Sequence, residues 1–417
     1  MVVDIKKLAK ENEALVIELR RHIHRYPELS SLEFETLKYI RAQLEKLGIS
    51  YVEVPDGGIL GFLGDESKGR TLLLRADIDA LPILENRFNL KQEKTVVSEI
   101  NGVHHACGHD AHTAMLITAA KILKENEDKL NGRVILFFER GEEGGGNIYH
   151  LLRYIEKEKI HIDAAHAIHV YASLPTGKFL VQGGPNHAGG FPFAVTITGS
   201  GGHGSRPDLS VNPIDAFVAI SNAINGIRMR SVSPFETVTC SIGHVSAGSR
   251  SNIIPHTLMF EGTARFYNED AGNAFIAELK HVLETVTKTY HCTYESKLPF
   301  VGLPVINNDL ISSLIAQSVE NTLGAEYLLP PTDPSMGSES YSLISKLYPS
   351  TLVLLGVANE ALGSGAEHHN EYFDIDEAAL HLGVAETAAF AIDFLNFTGE
   401  IPPVPYRGTI SEMLKRP

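Results

Sequence analysis

The sequence predicts an α/β protein whose main domain is interrupted by a smaller, ferredoxin-like α+β domain. The chain of 417 residues exceeds the usual size of one hydrophobic core, which favours two domains. Short apolar runs alternate with helical patterns and are followed by polar clusters, as in an α/β layer with a site along one edge. Between residues 186 and 299 the patterns follow a β-α-β-β-α-β order, which is typical of ferredoxin-like domains.

The main domain is predicted to be discontinuous, from residues 1–185 and 300–417. Its strands are expected as continuous apolar runs, because strands of a parallel sheet are buried on both faces. The elements expected to build it are strands over residues 71–76, 134–138, 164–170 and 351–355, and helices over residues 4–26, 34–47, 111–125, 308–323 and 377–397. Ligands of open α/β sheets bind beyond the C-terminal ends of the strands, so the site is expected there.

The inserted domain is predicted over residues 186–299, where the order of strand and helix patterns changes. It is expected to run strand, helix, strand, strand, helix, strand. The corresponding segments are residues 191–198, 212–229, 236–246, 256–267, 270–289 and 291–298.

The composition excludes several classes of protein. The formal net charge of −15 argues against nucleic-acid binding through a broad basic surface. The three cysteines, Cys107, Cys240 and Cys292, are odd in number and far apart, which suits a reducing compartment better than a disulfide framework. No secretory signal pattern opens the chain, and no apolar run approaches the length of a membrane span. We therefore expect a cytoplasmic protein with no membrane or nucleic-acid partner.

Residues 104–112 (HHACGHDAH) concentrate four histidines, one cysteine and one aspartate. A thiolate and an imidazole two residues apart, as in Cys107 and His109, can bind one divalent cation. The alternative is a polar loop whose histidines only cap a helix. Further acidic and histidine clusters elsewhere make a metal site the better interpretation, with His104, His105 and His112 expected as supports of the ligands.

The acid pair Glu142-Glu143 follows the strand expected over residues 134–138 and precedes three glycines. Acids in a loop are usually solvated surface charge, but at a strand end they point at a site. One of the two carboxylates would then ligate a metal, and the other would take a proton from water as a general base. Considered alone, His169 is more often expected to be a histidine of the hydrophobic core. His369 lies in a polar stretch, where packing does not explain a histidine.

These motifs resemble those of the hippurate hydrolase and auxin-conjugate amidohydrolase group of the aminoacylase–carboxypeptidase metallopeptidases. The resemblance runs nearly from end to end. Its most specific part is the cysteine-containing core, because other branches of the clan have an aspartate at the position of Cys107. The matching segments are residues 20–30 (RRHIHRYPELS), 75–82 (RADIDALP), 106–112 (ACGHDAH), 201–207 (GGHGSRP), 252–255 (NIIP), 262–265 (GTAR) and 369–377 (HNEYFDIDE).

The resemblance implies a metallopeptidase α/β catalytic domain, an inserted lid that also forms a dimer, and two divalent cations. Zinc or manganese would suit the site, with cobalt or nickel as alternatives. Glu142 would be the general base and Asp79 a near-site acid. His203 would reach a neighbouring subunit's site and stabilise the tetrahedral intermediate, while Asn252 and Arg265 would contact the substrate. The implied metal ligands are Cys107, His109, Glu143, His169 and His369.

The function implied is hydrolysis of the amide bond of small N-acyl amino acids, such as acetyl or benzoyl conjugates, by metal-activated water. Arg265 would bind the α-carboxylate of the amino acid. If the resemblance is left aside, Arg265 could equally be a surface arginine at a strand edge. Two other functions stay open: a carboxypeptidase or dipeptidase of the same clan, and a non-catalytic metal-binding or ligand-binding relative. We expect a homodimer or a higher homo-oligomer.

Two segments depart from the family's pattern. Residues 138–141 read Phe-Glu-Arg-Gly where Phe-Gln-Pro-Ala is usual, and residues 337–341 read Gly-Ser-Glu-Ser-Tyr where Gly-Ser-Glu-Asp-Phe is common. The first change removes a proline and adds two charges, Glu139 and Arg140, beside the acid pair. Both changes are expected to affect substrate preference more than the metal site.

Overall fold

A computed structural model of the chain describes residues 3–144, 146–298 and 301–413. Its helices are α1 Ile5–Glu11, α2 Glu13–Arg25, α3 Phe34–Lys46, α4 His109–Glu125, α5 Ile148–Lys157, α6 Pro213–Arg230, α7 Glu269–Thr289, α8 Asp309–Thr322, α9 Ser342–Leu347, α10 Leu380–Asn396 and α11 Ile410–Met413. Its strands are β1 Ser50–Val54, β2 Gly58–Gly64, β3 Arg70–Asp77, β4 Gly132–Glu139, β5 Ala164–Pro175, β6 Phe179–Leu180, β7 Gly184–His187, β8 Gly189–Thr198, β9 Gly202–His203, β10 Val238–Ala247, β11 Ile253–Ile254, β12 Thr257–Phe266, β13 Thr293–Lys297, β14 Val305–Asn307 and β15 Ser350–Ala358.

The main domain is built on a seven-stranded mixed sheet in the order β1-β2-β4-β3-β5-β15-β6. The strands β4, β3, β5 and β15 form a parallel centre, and β2 and β6 join it in antiparallel pairing. The central strands are nearly fully buried, which explains why they appear in the sequence as continuous apolar runs. The α/β class predicted from these runs is confirmed.

The N-terminal helical pattern forms two helices rather than the single helix expected over residues 4–26. Asn12 ends α1, where its backbone N–H bonds the carbonyl oxygens of Leu8 and Ala9. Its side-chain Nδ2 also donates to the Leu8 carbonyl oxygen at 2.9 Å. Asparagine side chains compete with the backbone for such bonds, and this competition interrupts the helix where apolar periodicity alone predicts none.

The segment Glu377–Asn396, which includes α10, is long and apolar enough to cross a membrane, with a mean hydropathy of 1.4. The expectation that no run would approach that length is therefore wrong for this segment. Inside the protein 72% of the apolar window is buried, and α10 packs against α4 and α8. Such burial is typical of the core helix of a folded domain, which is apolar on all sides because other elements surround it.

A second compact unit comprises Pro185–Val305 and Pro334–Leu343, and the main unit comprises Met1–Gly184, Ile306–Asp333 and Ile344–Leu414. The sequence prediction places residues 334–343 in the main domain, but they pack with the second unit. Ser335 N–H donates to the Asn186 carbonyl oxygen at 2.8 Å, and Ala188 N–H donates to the Ser335 carbonyl oxygen at 3.0 Å. Such pairing between distant segments leaves no local pattern in the sequence.

The second unit has the ferredoxin-like topology that the sequence predicts. Its four strands are all antiparallel, in the order β10-β12-β8-β13, and the chain order is β8-α6-β10-β12-α7-β13. The helices α6 and α7 pack against each other and against the sheet. A separate apolar core lies between these two layers.

Candidate metal centre

The candidate metal centre lies in the main domain, at the C-terminal ends of the parallel strands. β3 ends at Asp77, and Asp79 follows two residues later. Asp77 Oδ1 lies 2.6 Å from Nδ1 of His112, and Asp79 Oδ1 lies 3.0 Å from Nδ1 of His109. Both histidines are in the first turn of α4, three residues apart and therefore on one face of the helix. The end of β3 thus orients two of the four histidines of residues 104–112.

The turn between Cys107 and His109 requires a glycine. Gly108 has a φ of 92°, in the left-handed region, and a Cβ at this position would lie 2.2 Å from Cγ2 of Val170. The missing side chain lets the start of α4 approach β5, where His169 precedes Val170. Cys107 Sγ consequently lies 3.6 Å from Nε2 of His169.

Glu142 and Glu143 lie in the acid loop (residues 141–144), which follows β4. Ligand atoms of His109, Glu142 and Glu143 lie within 4.8 Å of one another, and so do those of Cys107, Glu143 and His369. Glu143 belongs to both groups. Its Oε1 lies 3.1 Å from His369 Nε2 and 4.0 Å from His109 Nε2. With His169 beside Cys107, the structure brings the five implied ligands and Glu142 into one cluster.

His369 reaches the cluster from the segment that follows β15. Its backbone N–H donates to the Ala106 carbonyl oxygen at 2.9 Å, which holds it against the Cys107 turn. Its φ of 61° lies in the left-handed region, which non-glycine residues rarely occupy. Such strain is typical of functional sites. The side chain is 51% exposed, so solvent reaches the cluster on this side.

The donor atoms of the cluster fit divalent cations. His109 and His169 use their Nδ1 atoms for the Asp79 carboxylate and the Val170 carbonyl oxygen, and this directs each Nε2 into the cluster. In the part of the chain that the structure describes, the buried Nε2 of His109 has no hydrogen-bond partner. An unpaired buried nitrogen is unusual in a native protein. Together with one thiol and two carboxylates it forms a set of sulfur, nitrogen and oxygen donors suited to transition-metal ions.

His112 and Asp77 lie beside the cluster, but their polar atoms already have protein partners. Nε2 of His112 accepts from the Val170 N–H at 2.8 Å, so its proton is on Nδ1, which donates to Asp77. The other Asp77 oxygen accepts from Arg75 at 2.7 Å. These bonds brace the strand ends, and the ligand atoms of Asp77 and His112 also lie within 4.8 Å of those of His109 and His169.

A second group of histidines and acids lies nearby, around Glu85. Its Oε1 is 3.1 Å from Nε2 of both His24 and His104. The ammonium of Lys94 lies 2.9 Å from the same oxygen. Because a cationic side chain already occupies this carboxylate, the group is better described as a buried charge network than as a metal site.

The electrostatics of the site act in opposite directions on its imidazoles: the pKa of His169 is lowered, whereas the pKa values of His109 and His369 are raised. Burial lowers the pKa of His169 well below its usual value, and the neighbouring His112 and His368 add to this effect. A neutral imidazole is the form that binds a metal. The hydrogen bond to Glu143 raises the pKa of His369. Burial raises the pKa of the Cys107 thiol, whereas a divalent cation at the sulfur favours the thiolate.

His203 and Asn252 lie together in the second unit. His203 ends β9, which pairs with β11, and Gly204 N–H donates to the Asn252 carbonyl oxygen at 2.9 Å. Nδ1 of His203 accepts a hydrogen bond from the Ser205 N–H at 3.1 Å. In the neutral ring the proton is therefore on Nε2, which makes this exposed atom a hydrogen-bond donor.

Arg265 lies on β12 of the second unit and is partly buried. Its Nη1 donates to Oγ1 of Thr263 at 2.5 Å and to the Ala264 carbonyl oxygen at 3.1 Å. These bonds hold the guanidinium along its own strand. The geometry is compatible both with a prepositioned carboxylate clamp and with a structural arginine.

The two charges that depart from the family's pattern are buried and paired. Glu139 is fully buried and accepts from Arg75 at 2.7 Å. Arg140 is 4% exposed and donates to Glu33 at 2.8 Å. Their burial favours a role in shaping the acid loop. The other departing segment, residues 337–341, lies in the second unit, where Tyr341 is fully buried.

Known proteins resemble this chain over most of its length. The model of peptidase family M20/M25/M40 matches residues 73–393. Thermostable carboxypeptidase 1 of Saccharolobus solfataricus is 34% identical, over 95% of this chain and 99% of its own. IAA-amino acid hydrolase ILR1-like 4 of Arabidopsis thaliana is 32% identical, over 93% and 88%. N-acetyl-L-cysteine deacetylase of Bacillus subtilis is 31% identical, over 88% and 85%.

Solved structures of similar proteins share the fold. A putative aminohydrolase from methicillin-resistant Staphylococcus aureus superposes with a TM-score of 0.84 at 28% identity, covering 94% of this chain and 99% of its own. The YXEP protein of Bacillus subtilis, described as a dinuclear metal binding peptidase from the M20 family, superposes with a TM-score of 0.76 at 28% identity. It covers 93% of this chain and 99% of its own.

Proposed function

The chain belongs to peptidase family M20/M25/M40, a family of metal-dependent hydrolases, and we propose that it hydrolyses the amide bond of N-acyl amino acids. The observation that carries the proposal is the cluster of Cys107, His109, His169 and His369 around the acid pair. The names of two relatives, an IAA-amino acid hydrolase and an N-acetyl-L-cysteine deacetylase, refer to conjugates of amino acids. An acyl amino acid is therefore the substrate class that the relatives and the cysteine-containing core jointly support.

Five side chains would hold the cations: Cys107, His109, Glu143, His169 and His369. Asp79 would fix the ring of His109 through Nδ1, as carboxylates commonly do for metal-binding histidines. When bound, two divalent cations would polarise the amide carbonyl and lower the pKa of an attacking water. Zinc or manganese suits these donors, and cobalt or nickel would also bind.

Glu142 would be the general base, because Glu143, the other carboxylate of the acid loop, would bind the cations. It would accept the proton of the attacking water as the C–O bond forms at the amide carbon. It would then deliver that proton to the leaving nitrogen as the C–N bond breaks. The products are the free carboxylate of the acyl group and the free amino acid.

The residues of the second unit would complete the site. His203 would donate its Nε2 proton to the developing oxyanion at the site of a neighbouring subunit, which requires a homodimer or a higher oligomer. Arg265 would bind the α-carboxylate of the amino acid, and Asn252 would contact the substrate beside His203. We place this enzyme in the cytoplasm.

A peptidase of the same clan is the second candidate. The relative from Saccharolobus solfataricus, at 34% identity over 95% of this chain, is named as a carboxypeptidase. The chemistry would be unchanged, and only the group on the acyl side of the bond would differ. A non-catalytic relative is a weaker alternative, because this chain has both a thiol ligand at Cys107 and a base at Glu142.

A matched substrate panel separates these functions. The panel pairs acetyl and benzoyl derivatives of one amino acid with dipeptides ending in the same amino acid, and kcat/KM is measured with zinc, manganese, cobalt and nickel. We expect the acyl derivatives to exceed the dipeptides by at least about tenfold, which is about 1.4 kcal/mol of transition-state stabilisation. Methyl esters of the same derivatives, which lack the α-carboxylate, are the control and should be poor substrates.

The opposite ranking would assign the protein to the peptidases. If the metal-loaded protein hydrolyses no compound of the panel, the non-catalytic alternative is correct for these substrate classes. If the methyl esters react as well as the acids, Arg265 does not bind a carboxylate.

A further inference from the structure

We propose that a buried ion pair, Glu33 and Arg140, positions the acid loop and through it the catalytic base Glu142. Neither residue belongs to the ligand cluster, so both would be positioning residues of the reaction. The inference rests on the proposed function, because it takes Glu142 to be the base.

A single carboxylate fixes the start of the acid loop. Oε1 of Glu33 accepts from the backbone N–H of Gly141 and from that of Ser31, both at 2.8 Å. Oε2 accepts from Nε of Arg140 at 2.8 Å. Glu33 is fully buried, so water does not compete for these bonds. The residue directly before Glu142 is therefore held by its own backbone amide.

Arg140 ties the end of β4 to the segment that precedes α3. Its Nη2 donates to the Ser31 carbonyl oxygen at 2.5 Å, and its guanidinium lies 5.1 Å from the centre of the Phe34 ring. The planar guanidinium thus makes three directed contacts with one short segment. A proline at this position, as is usual in the resembling family, could make none of them.

The same segment also holds the far side of the loop. Ser31 has a φ of 69°, and its hydroxyl donates to Oδ1 of Asn147 at 2.8 Å. Nδ2 of Asn147 in turn donates to the Asp56 carbonyl oxygen at 2.7 Å. Gly141 fits tightly here, because a Cβ on it would lie 2.6 Å from Oδ1 of Asn147.

The middle of the loop is fixed to the ligand cluster itself. The Glu143 N–H donates to Oδ2 of Asp79 at 3.0 Å, and the other oxygen of Asp79 contacts His109. Glu142 therefore lies between two backbone amides that are both held by buried carboxylates. If the Glu33 anchor is lost, the Gly141 N–H loses its carboxylate acceptor, and the base is expected to move relative to the ligands.

Conservative and disruptive variants at the two positions test this inference. Glu33→Ala and Arg140→Met remove the anchor, and kcat should fall by up to about 10²-fold, since a displacement of about 1 Å of a catalytic group can cost that much. KM should stay within about threefold, because the substrate contacts are elsewhere. Glu33→Gln keeps an acceptor for the Gly141 N–H and should restore most of the loss. Arg140→Lys keeps the charge but loses the planar contacts and should lie in between.

Metal content by elemental analysis and the melting temperature accompany every variant. The stability control is Ile315→Ala, a substitution at a fully buried residue of α8, a helix that packs against α10 and β15. It should lower the melting temperature with no change in kcat. An equal loss of kcat in this control would overturn the inference, because the loss would then follow from destabilisation alone.

The inference also fails if Glu33→Ala and Arg140→Met bind their metals and keep normal kcat. If those two variants do not fold, Arg140→Lys decides: an unchanged kcat, or a change in KM alone, overturns the inference. Glu142→Gln separates this failure from that of the proposed function. An inactive Glu142→Gln beside fully active variants at Glu33 and Arg140 removes only the positioning role, whereas an active Glu142→Gln removes the base itself.

Discussion

Glu142→Gln is expected to retain its metals and lose nearly all turnover. Glutamine has the size of glutamate and still accepts hydrogen bonds, but it can neither take a proton from water nor deliver one to the leaving nitrogen. General acid–base catalysis contributes about 10²–10⁴-fold, and kcat should fall by an amount in that range. KM should change little, because the lost interaction belongs to the transition state. Steady-state kinetics with an acetyl amino acid measures both constants.

Two further measurements make this prediction specific. Elemental analysis must show unchanged metal in Glu142→Gln, since the carboxylate assigned to the metals is that of Glu143. The matched control is Glu367→Gln, which removes an exposed negative charge two residues before His369 and should keep normal kcat. Near-normal turnover by metal-loaded Glu142→Gln would show that another group is the base.

Cys107→Ala is expected to lose metal and, as a consequence, activity. Cys107 is the only thiol of the ligand cluster, and its Sγ lies 3.6 Å from Nε2 of His169. The remaining imidazoles and carboxylates would bind a soft divalent ion more weakly without the thiolate. Loss of a single oriented group around a metal costs about 10–100-fold in affinity, and loss of a direct ligand should cost at least that. Competition with a chelator of known affinity measures the change.

Cys240→Ala is the matched control for the loss of a thiol. Cys240 lies on β10 of the second unit, and its replacement should leave metal affinity unchanged. Cys107→Ser adds a graded test, because a hydroxyl is a harder and weaker ligand than a thiolate. Its affinity should fall between those of the wild type and Cys107→Ala. Equal metal affinity in all these variants would exclude Cys107 as a ligand.

Much of the fold and the cluster was accessible from the sequence. Buried parallel strands appear as apolar runs, and the carboxyl ends of such strands meet at one edge, so the acid pair was expected to lie near Cys107 and His109. A place for Asp79 near the site was implied by the family resemblance. The ferredoxin-like order was readable because each of its elements has a clear period of its own. The prediction that His169 and His369 are metal ligands came from the family resemblance, since no local sequence pattern distinguishes a single ligand histidine from any other histidine.

The features of the site that could not be predicted from the sequence depend on contacts between distant segments. Glu33 and Arg140 are 107 positions apart, and nothing in the local sequence marks them as partners. Asp77 lies in the same Asp-Ile-Asp motif as Asp79, and its spacing of two residues was a signal that both face the site. Asp77 contacts His112 and Arg75 because the end of β3 packs beside the start of α4, and the sequence alone does not show that packing. The division of the long N-terminal helix at Asn12 likewise turns on one side-chain hydrogen bond.

Bound divalent cations and the acid pair would together hydrolyse an N-acyl amino acid. The most direct test follows release of the free amino acid from its acetyl derivative while metal-depleted protein is titrated with zinc or manganese. We expect no turnover without metal and recovery that saturates at about two ions per chain, as in two-metal hydrolytic sites. Full activity in protein shown by elemental analysis to be free of metal would contradict it.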